Sequence, residues 1–236
     1  MHDCVVYAQF FNVEIPMFAE HYRDEDLRIY HMTHIDNLAS VLKNGCLYSR
    51  NKVQALGVHT RYGAGKCVED TRSVKLSAID GHTLGDFALF FFAPRSAMLG
   101  SISRHPGGYA ASEDDMIYLV ADFKKVRNWA DANGIRWEVS GRNCLSPTPG
   151  ISVDNDFAEK DVSPSLPHPA IDTLYPQSAN EDSEHMAEFH LLDGLPIDLI
   201  DEIVVKTPEK SDYVDRVLKS NGKGIAVRVD KDWYFK

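Results

Sequence analysis

The chain has 236 residues and is short of cysteine, of long apolar runs and of positive charge. Each shortage narrows what it can be. Its four cysteines, Cys4, Cys46, Cys67 and Cys144, stand far apart with no Cys-x-x-Cys pair. That spacing argues against a zinc ribbon and fits reduced thiols in a cytoplasm. No apolar run approaches the ~18 residues of a membrane-spanning helix. The first residues also lack the basic-then-apolar order of a secretory signal. Twenty-five Lys and Arg stand against thirty-five Asp and Glu, a net charge of −10. Taken as a total, that charge argues against a phosphate-binding protein. What remains is 44% hydrophobic and 25% charged, enough apolar material for the core of one large soluble domain. No internal repeat and no two-domain split is visible, so a single domain over 1–236 is expected.

The charge is unevenly spread. Residues 1–39 carry a net −5 and residues 151–188 a net −8, with Lys160 the one basic residue of that second stretch. Residues 40–110 hold nine basic side chains against four acids, a net +5. A basic segment inside an acidic envelope reopens the possibility of a polyanionic partner.

Alternation predicts a strand over Ile29–Thr33 and a helix after it. That helix has Asp36 as its cap, Ile35, Leu38, Val41 and Leu42 on one face, and Asn44-Gly45 as its stop. Cys46–Tyr48 reads as a short strand. Residues 49–85 read as a long loop with a short helix around Val68–Arg72. Phe87–Phe92 is the most apolar run and predicts a buried central strand ended by Pro94, with Ser96–Ile102 a helix or turn. A strand over Met116–Ala121 and a helix over Phe123–Asn133 come after it. Residues 141–182 hold six prolines among many Ser, Asn and Asp, the composition of a long irregular loop of the kind that often serves a site. Strands over Met186–Leu191 and Glu202–Lys206, a helix over Asp212–Ser220 and a closing strand over Gly224–Val229 complete an α+β pattern.

Three stretches can carry chemistry. Tyr30-His31-Met32-Thr33-His34 ends a strand just before a helix, where backbone N–H groups and polar side chains can meet a ribose or phosphate. Simple helix capping by Thr33 and His34 is the plainer reading. Metal binding lacks support, because His31 and His34 have no carboxylate or cysteine at ligand spacing. Phe91-Phe92-Ala93-Pro94-Arg95-Ser96 offers aromatics for a flat ring and a cation for an anion, or merely core packing and a surface charge. In Met186-Ala187-Glu188-Phe189-His190, alternation puts Phe189 toward the core and Glu188 with His190 on the opposite face. There Glu188 is either a catalytic carboxylate or a solvated strand residue.

In this order the stretches resemble the DarT (DUF4433-type) family of DNA ADP-ribosyltransferase toxins. Tyr30–Leu38 with Val41-Leu42 and Gly45 is similar to the family's opening motif. Leu84-x-Asp86-Phe87 through Arg95-Ser96-x-Met98-Leu99 is similar to its central motif. Ala187-Glu188-Phe189, Leu195-Pro196 and Leu199–Ile203 resemble the catalytic strand and the segment after it. Arg228-x-x-Lys231-Asp232-Trp233-Tyr234 resembles the last strand. The likeness spans about residues 28–236, leaving 1–27 as an N-terminal extension; four ordered motifs are a fairly specific signal.

The resemblance implies an ADP-ribosyltransferase fold: two small, mostly antiparallel sheets around an NAD cleft, with peripheral helices. It implies that NAD is consumed as co-substrate without a metal and that ADP-ribose passes to a nucleobase of DNA. It further implies a toxin of a toxin–antitoxin pair, with a macrodomain antitoxin as a possible partner. By carry-over, His31 and Thr33 hold ribose and amide groups, Asn37 and Leu38 sit beside the cofactor, and Phe91 stacks on nicotinamide. Glu188 matches the catalytic glutamate. Arg72 matches the family arginine across a one-residue gap, with Arg61 and Lys75 as alternatives. Arg50 and Arg95 are the candidate DNA contacts, and 141–182 is the acceptor-side loop. The chain departs from the usual motif at Gly85 (for His), Leu89 and Phe91 (for Pro and Tyr) and Met186 (for Gln). RNA or protein as acceptor, and a non-catalytic NAD- or nucleic-acid-binding module, are the competing readings.

Overall fold

The computed structural model describes residues 27–58, 77, 79, 81–104, 112–140 and 188–235. The expected helix near Val68–Arg72 and the loop 141–182 lie outside these residues. Strand β1 (Arg28–His34) runs through a short 3-10 turn, Ile35–Asn37, into helix α1 (Leu38–Asn44). Strand β2 (Cys46–Tyr48) and helix α2 (Arg50–Ala55) come next. Then follow β3 (Phe87–Phe91), α3 (Ala97–Arg104), β4 (Met116–Asp122), α4 (Phe123–Ala132) and β5 (Trp137–Ser140). The chain continues with β6 (Glu188–Leu192), β7 (Gly194–Pro196), β8 (Glu202–Val205), α5 (Pro208–Ser220) and β9 (Ala226–Val229).

The two sheets are unequal. Seven strands form the main one in the order β5-β6-β3-β1-β4-β8-β9, and β2 with β7 form the other. Pairing is antiparallel except between β8 and β9. β1 and β4 pair over seven positions, Arg28↔Asp122 to His34↔Met116, and form the rigid centre.

Alternation divides the sheet's residues between two cores. On one face Ile29, Phe90, Leu119, Phe189, Leu191 and Ile203 join α1, α4 and α5 in the main core. On the other, Met32, Tyr118, Val120 and Val204 pack with Leu99 and Ile102 of α3 and with Tyr234. The Tyr234 hydroxyl donates to the carbonyls of Met116 (3.1 Å) and Val204 (3.3 Å), tying the C-terminal segment across β4 and β8.

The structure corrects several local expectations. His34, not Asp36, caps the turn into α1: its Nδ1 accepts from the Asp36 N–H at 3.1 Å. Gly45 ends that helix as expected, at φ +67° with its N–H on the Leu42 carbonyl. Helix α2 stands where the sequence suggests only loop, with Ser49 accepting from the Lys52 N–H. Helix α5 starts at Pro208 rather than Asp212, because Thr207 caps it and proline fits the first helical turn. Strand β5 has no counterpart among the expected elements.

Candidate active site

Strand register assembles the site. Phe91 on β3 pairs with Glu188 on β6, Glu188 pairs with Ser140 on β5, and Phe91 pairs on its other side with Tyr30 on β1. Two positions along, His190 lies between Leu89 on β3 and Glu138 on β5. Tyr30, Phe91, Leu89, Glu188, His190 and Glu138 therefore share the face opposite the main core.

Glu188 is not a solvated strand residue. It is 1% exposed, and His190 and Glu138 are 0% exposed. Ionisable groups buried this deeply need partners. The His190 Nε2 lies 3.0 Å from Glu188 Oε2, and its Nδ1 lies 2.8 Å from Glu138 Oε1. The Ser77 hydroxyl donates to Glu138 Oε2 at 2.9 Å and accepts from the Ile79 N–H at 2.8 Å. Among the described residues no group of three His, Cys, Asp or Glu side chains is arranged to hold a metal ion.

β1 and β3 pair at one position, Tyr30↔Phe91, and beyond it a side chain spans the seam. His31 Nδ1 lies 2.7 Å from the Leu89 carbonyl, and its ring meets Phe90 edge-on at 5.6 Å. A carbonyl only accepts, so Nδ1 carries a proton and the ring orientation is fixed. Thr33 Oγ1 accepts from the Asn37 amide at 3.0 Å, which links the end of β1 to the turn after it. Leu38 is 0% exposed in the main core, and its N–H bonds to the Ile35 carbonyl, so it supports this corner from beneath.

Arg95 lies on the same face as Glu188. Its backbone adopts φ +60°, its N–H donates to the buried Tyr118 hydroxyl at 3.0 Å, and its guanidinium sits 4.8 Å from the Phe235 ring centroid. A left-handed non-glycine conformation is costly and is often found at functional sites. Burial pushes the Tyr118 hydroxyl well above the usual phenol range, so it serves Arg95 as a neutral group. Trp233 completes an aromatic wall, 5.2 Å from Tyr30 and 5.7 Å from Tyr118. Arg50 opens α2 and stands near the start of β3, while Arg95 follows its end. The two candidate DNA contacts therefore stand toward opposite ends of β3, Arg50 on the helix whose Asn51 bonds Asp86 just before it. Arg72, Arg61 and Lys75 lie outside the described residues.

The start of β3 holds a second polar knot. Asn51 of α2 donates to Asp86 Oδ1 at 2.6 Å, and Asp86 accepts from the Thr83 N–H and hydroxyl. A Cβ at Gly85 would lie 2.7 Å from Asn51 Oδ1, so a side chain there would require the Asn51 amide to shift.

The charge map is equally uneven in space. Lys125, Lys206, Lys210, Lys223 and Arg228 are each paired with an acid. Within residues 40–110, Lys52 reaches Asp193 at 3.4 Å, while Lys43, Arg95 and Arg104 make no ion pair among the described residues.

The unequal two-sheet fold, with buried Glu188 beside Phe91 on neighbouring strands, agrees with the ADP-ribosyltransferase class that the sequence motifs imply. The chain belongs to the DarT family, described as "ssDNA thymidine ADP-ribosyltransferase", whose model matches residues 30–235. A DNA ADP-ribosyl transferase of Thermus sp. (strain 2.9) is 27% identical over 217 residues, which cover 89% of this chain and 97% of that relative. The solved structure of Thermus sp. 2.9 DarT in complex with ADP-ribosylated ssDNA superimposes with a TM-score of 0.74 at 24% identity, covering 91% of this chain and 98% of that one. The same protein in complex with NAD+ gives 0.69 at 24% identity, covering 91% and 100%.

The sequence motifs single out Glu188 and pass over Glu138, to which the structure joins it through His190. The Glu-x-His spacing on β6 is a visible signal for His190, to which the motifs give no role. Glu138 sits on a four-residue strand, 52 positions from its partner.

Proposed function

We propose that this chain cleaves NAD+ at the nicotinamide–ribose bond and transfers ADP-ribose to a thymidine base of single-stranded DNA. The observation that carries the reading is Glu188, buried and oriented on β6, in register with Phe91 in a chain of the DarT family. NAD+ supplies an electrophilic ribose carbon once nicotinamide departs with the bonding pair. Glu188 stabilises the positive charge that develops there and accepts the proton a base nitrogen releases as the new bond forms. Phe91 stacks on the nicotinamide. His31, held by Leu89, and the Thr33–Asn37 pair hold the ribose and amide groups, with Leu38 packed beneath them. Arg72 binds the pyrophosphate or steadies the acceptor. Arg95 and Arg50 contact the DNA backbone, and 141–182 selects the acceptor. The chain acts in the cytoplasm as the toxin of a toxin–antitoxin pair, countered by a macrodomain antitoxin.

Incubation with NAD+ and single-stranded oligonucleotides should add the mass of one ADP-ribose, and only to oligonucleotides containing thymidine. RNA and protein acceptors run in parallel should stay unmodified. A modified RNA or protein with unmodified DNA overturns the acceptor assignment. Binding of DNA should weaken with salt, and Arg95→Ala should lower both the affinity and the slope of its logarithm against log salt, the latter by about one. An unchanged slope removes Arg95 from the interface.

A further inference from the structure

The Glu188–His190–Glu138–Ser77 chain contains more than a single catalytic carboxylate needs. Its hydrogen bonds fix where the protons sit. The Ser77 hydroxyl donates its one proton to Glu138 Oε2, while its oxygen accepts from the Ile79 N–H. Glu138 Oε1 faces His190 Nδ1. With both oxygens accepting, Glu138 is ionised and Nδ1 is the donor. The second contact, between Nε2 and Glu188 Oε2, needs a proton of its own. A neutral imidazole has none left to give, because Nδ1 holds the only one. The Glu138–His190–Glu188 group therefore binds two protons and has a net charge of −1.

The second proton has two places to be, and the surroundings choose. An unperturbed imidazole is the stronger base, titrating near about 6.5 against about 4.3 for a glutamate. The negative Glu138 on the far side of the ring adds to that preference, since it favours positive charge on His190. The basicity of the ring and the charge of Glu138 together put the proton on Nε2 and leave Glu188 ionised. From β3, apolar groups meet the imidazole: Leu89 lies beside it in register, and the Phe87 ring centroid is 6.3 Å away. His82 stands behind Phe87, 6.0 Å from that ring, and has Asp86 as its own partner at 3.8 Å.

We propose that Glu138 and His190 are positioning residues, forming a buried two-proton clamp that keeps Glu188 ionised and holds its carboxylate in one orientation. This rests on the reading of Glu188 as the catalytic carboxylate. The clamp explains how a carboxylate 1% exposed remains charged where burial alone favours its protonated form. It also predicts a high-pH limit. When the second proton leaves, a bare Nε2 lone pair faces the Glu188 carboxylate and the clamp opens.

The test is Glu138→Gln. Truncating His190 would strand two buried carboxylates and endanger the fold, whereas a glutamine on β5 keeps the shape. Its carbonyl still accepts from Nδ1, and its amide can donate to the Ser77 oxygen. The charge is lost, and the Ser77 hydroxyl changes from donor to acceptor at this contact. Two readouts apply, ring 15N chemical shifts of His190 and the pH profile of nicotinamide release from NAD+. In the wild-type protein at pH 7.5 both ring nitrogens should be protonated. In Glu138→Gln the second proton should leave at a pH at least one unit lower. The high-pH limb of kcat should move by the same amount, with the KM for NAD+ within about twofold.

A neutral His190 in the wild-type protein overturns the clamp. So does a variant that loses activity evenly at every pH, as a purely structural role would produce. Glu188→Gln separates the two claims. If that variant still releases nicotinamide, the catalytic assignment falls, while the 15N shifts of the wild-type protein still decide whether the clamp exists.

Discussion

On β3, β5 and β6, neighbouring residues face opposite ways and meet opposite chemistry. Toward α1, α4 and α5 point Phe90, Val139, Phe189 and Leu191, all within the main core. Toward the other side point Phe91, Glu138, Glu188 and His190, the last three joined by hydrogen bonds between ionisable groups. A step of one residue crosses from dry hydrocarbon to a proton-sharing network. The apolar face fixes the register, and the register alone brings Glu138, from a distant part of the chain, to His190. Stability and chemistry thus sit on adjacent residues and should be separable by mutation.

Cutting the apolar face should have the largest effect. Phe189 is fully buried, with ring neighbours Phe90 at 6.0 Å, Phe123 at 5.2 Å and Trp137 at 5.9 Å. Phe189→Ala should cost about 3–5 kcal/mol in urea unfolding. The protein that stays folded at low temperature should keep its activity within a few-fold. A loss of activity without a loss of stability would mean that the two faces are not independent.

The neighbouring residue should behave in reverse. Glu188→Gln should lower nicotinamide release by ~10²–10³-fold, the range found when one group facing a developing charge is removed. Its melting temperature should stay close to that of the wild-type chain. Activity within threefold of wild type would remove Glu188 from the catalytic role.

Much of the apolar face is legible in the sequence, and the polar face only in part. The strands β1, β3 and β4 announce themselves by buried runs such as Phe87–Phe91 and Met116–Ala121. Helix α2 does not: Arg-Asn-Lys-Val-Gln-Ala buries only Val53, so it has no apolar stripe to read. Strand β5 has four residues, too few for a period, and takes its order from pairing with β6. The same cause hides Glu138. Glu188 and Phe91 are reached through family motifs, but their placement side by side is a fact of register between β3 and β6.

A smaller effect is expected at the start of β3, where Gly85→Ala tests whether polar packing there is as exacting as the core. The added methyl would meet Asn51 Oδ1 at 2.7 Å and turn the Asn51 Nδ2 donor away from Asp86. The loss should be about 1–2 kcal/mol, the scale of a disturbed partly buried hydrogen bond. Asn51→Ala should remove the obstacle, so the double variant should cost less than the sum of the two single changes. Strict additivity in a double-mutant cycle would show that the two positions do not touch.

The least effect is expected from the proton equilibrium of Asp86 itself. Burial opposes its ionisation, but hydrogen bonds from the Thr83 N–H, the Asn51 amide and the Thr83 hydroxyl, with His82 nearby, outweigh it. Together they hold the carboxyl below the usual range. A carboxyl held low in the folded state binds protons less readily there than in the unfolded chain. Its contribution to stability is therefore complete above about pH 4, near the unfolded aspartate value of about 3.9. It is lost as the pH falls through the lower folded value. Asp86→Asn should flatten the acid side of the stability–pH curve below about pH 4 and leave the slope near neutrality unchanged. Denaturant melts at pH 3, 4, 5 and 7 compare the two proteins directly. If the variant and the wild-type chain lose stability in parallel from pH 5 to pH 3, the Asn51–Asp86–Thr83 knot does not govern that limb. The acid sensitivity would then fall to other carboxyls held low in the fold, such as Asp115, where the cost of burial is outweighed by hydrogen bonds from Lys210 and Ser112.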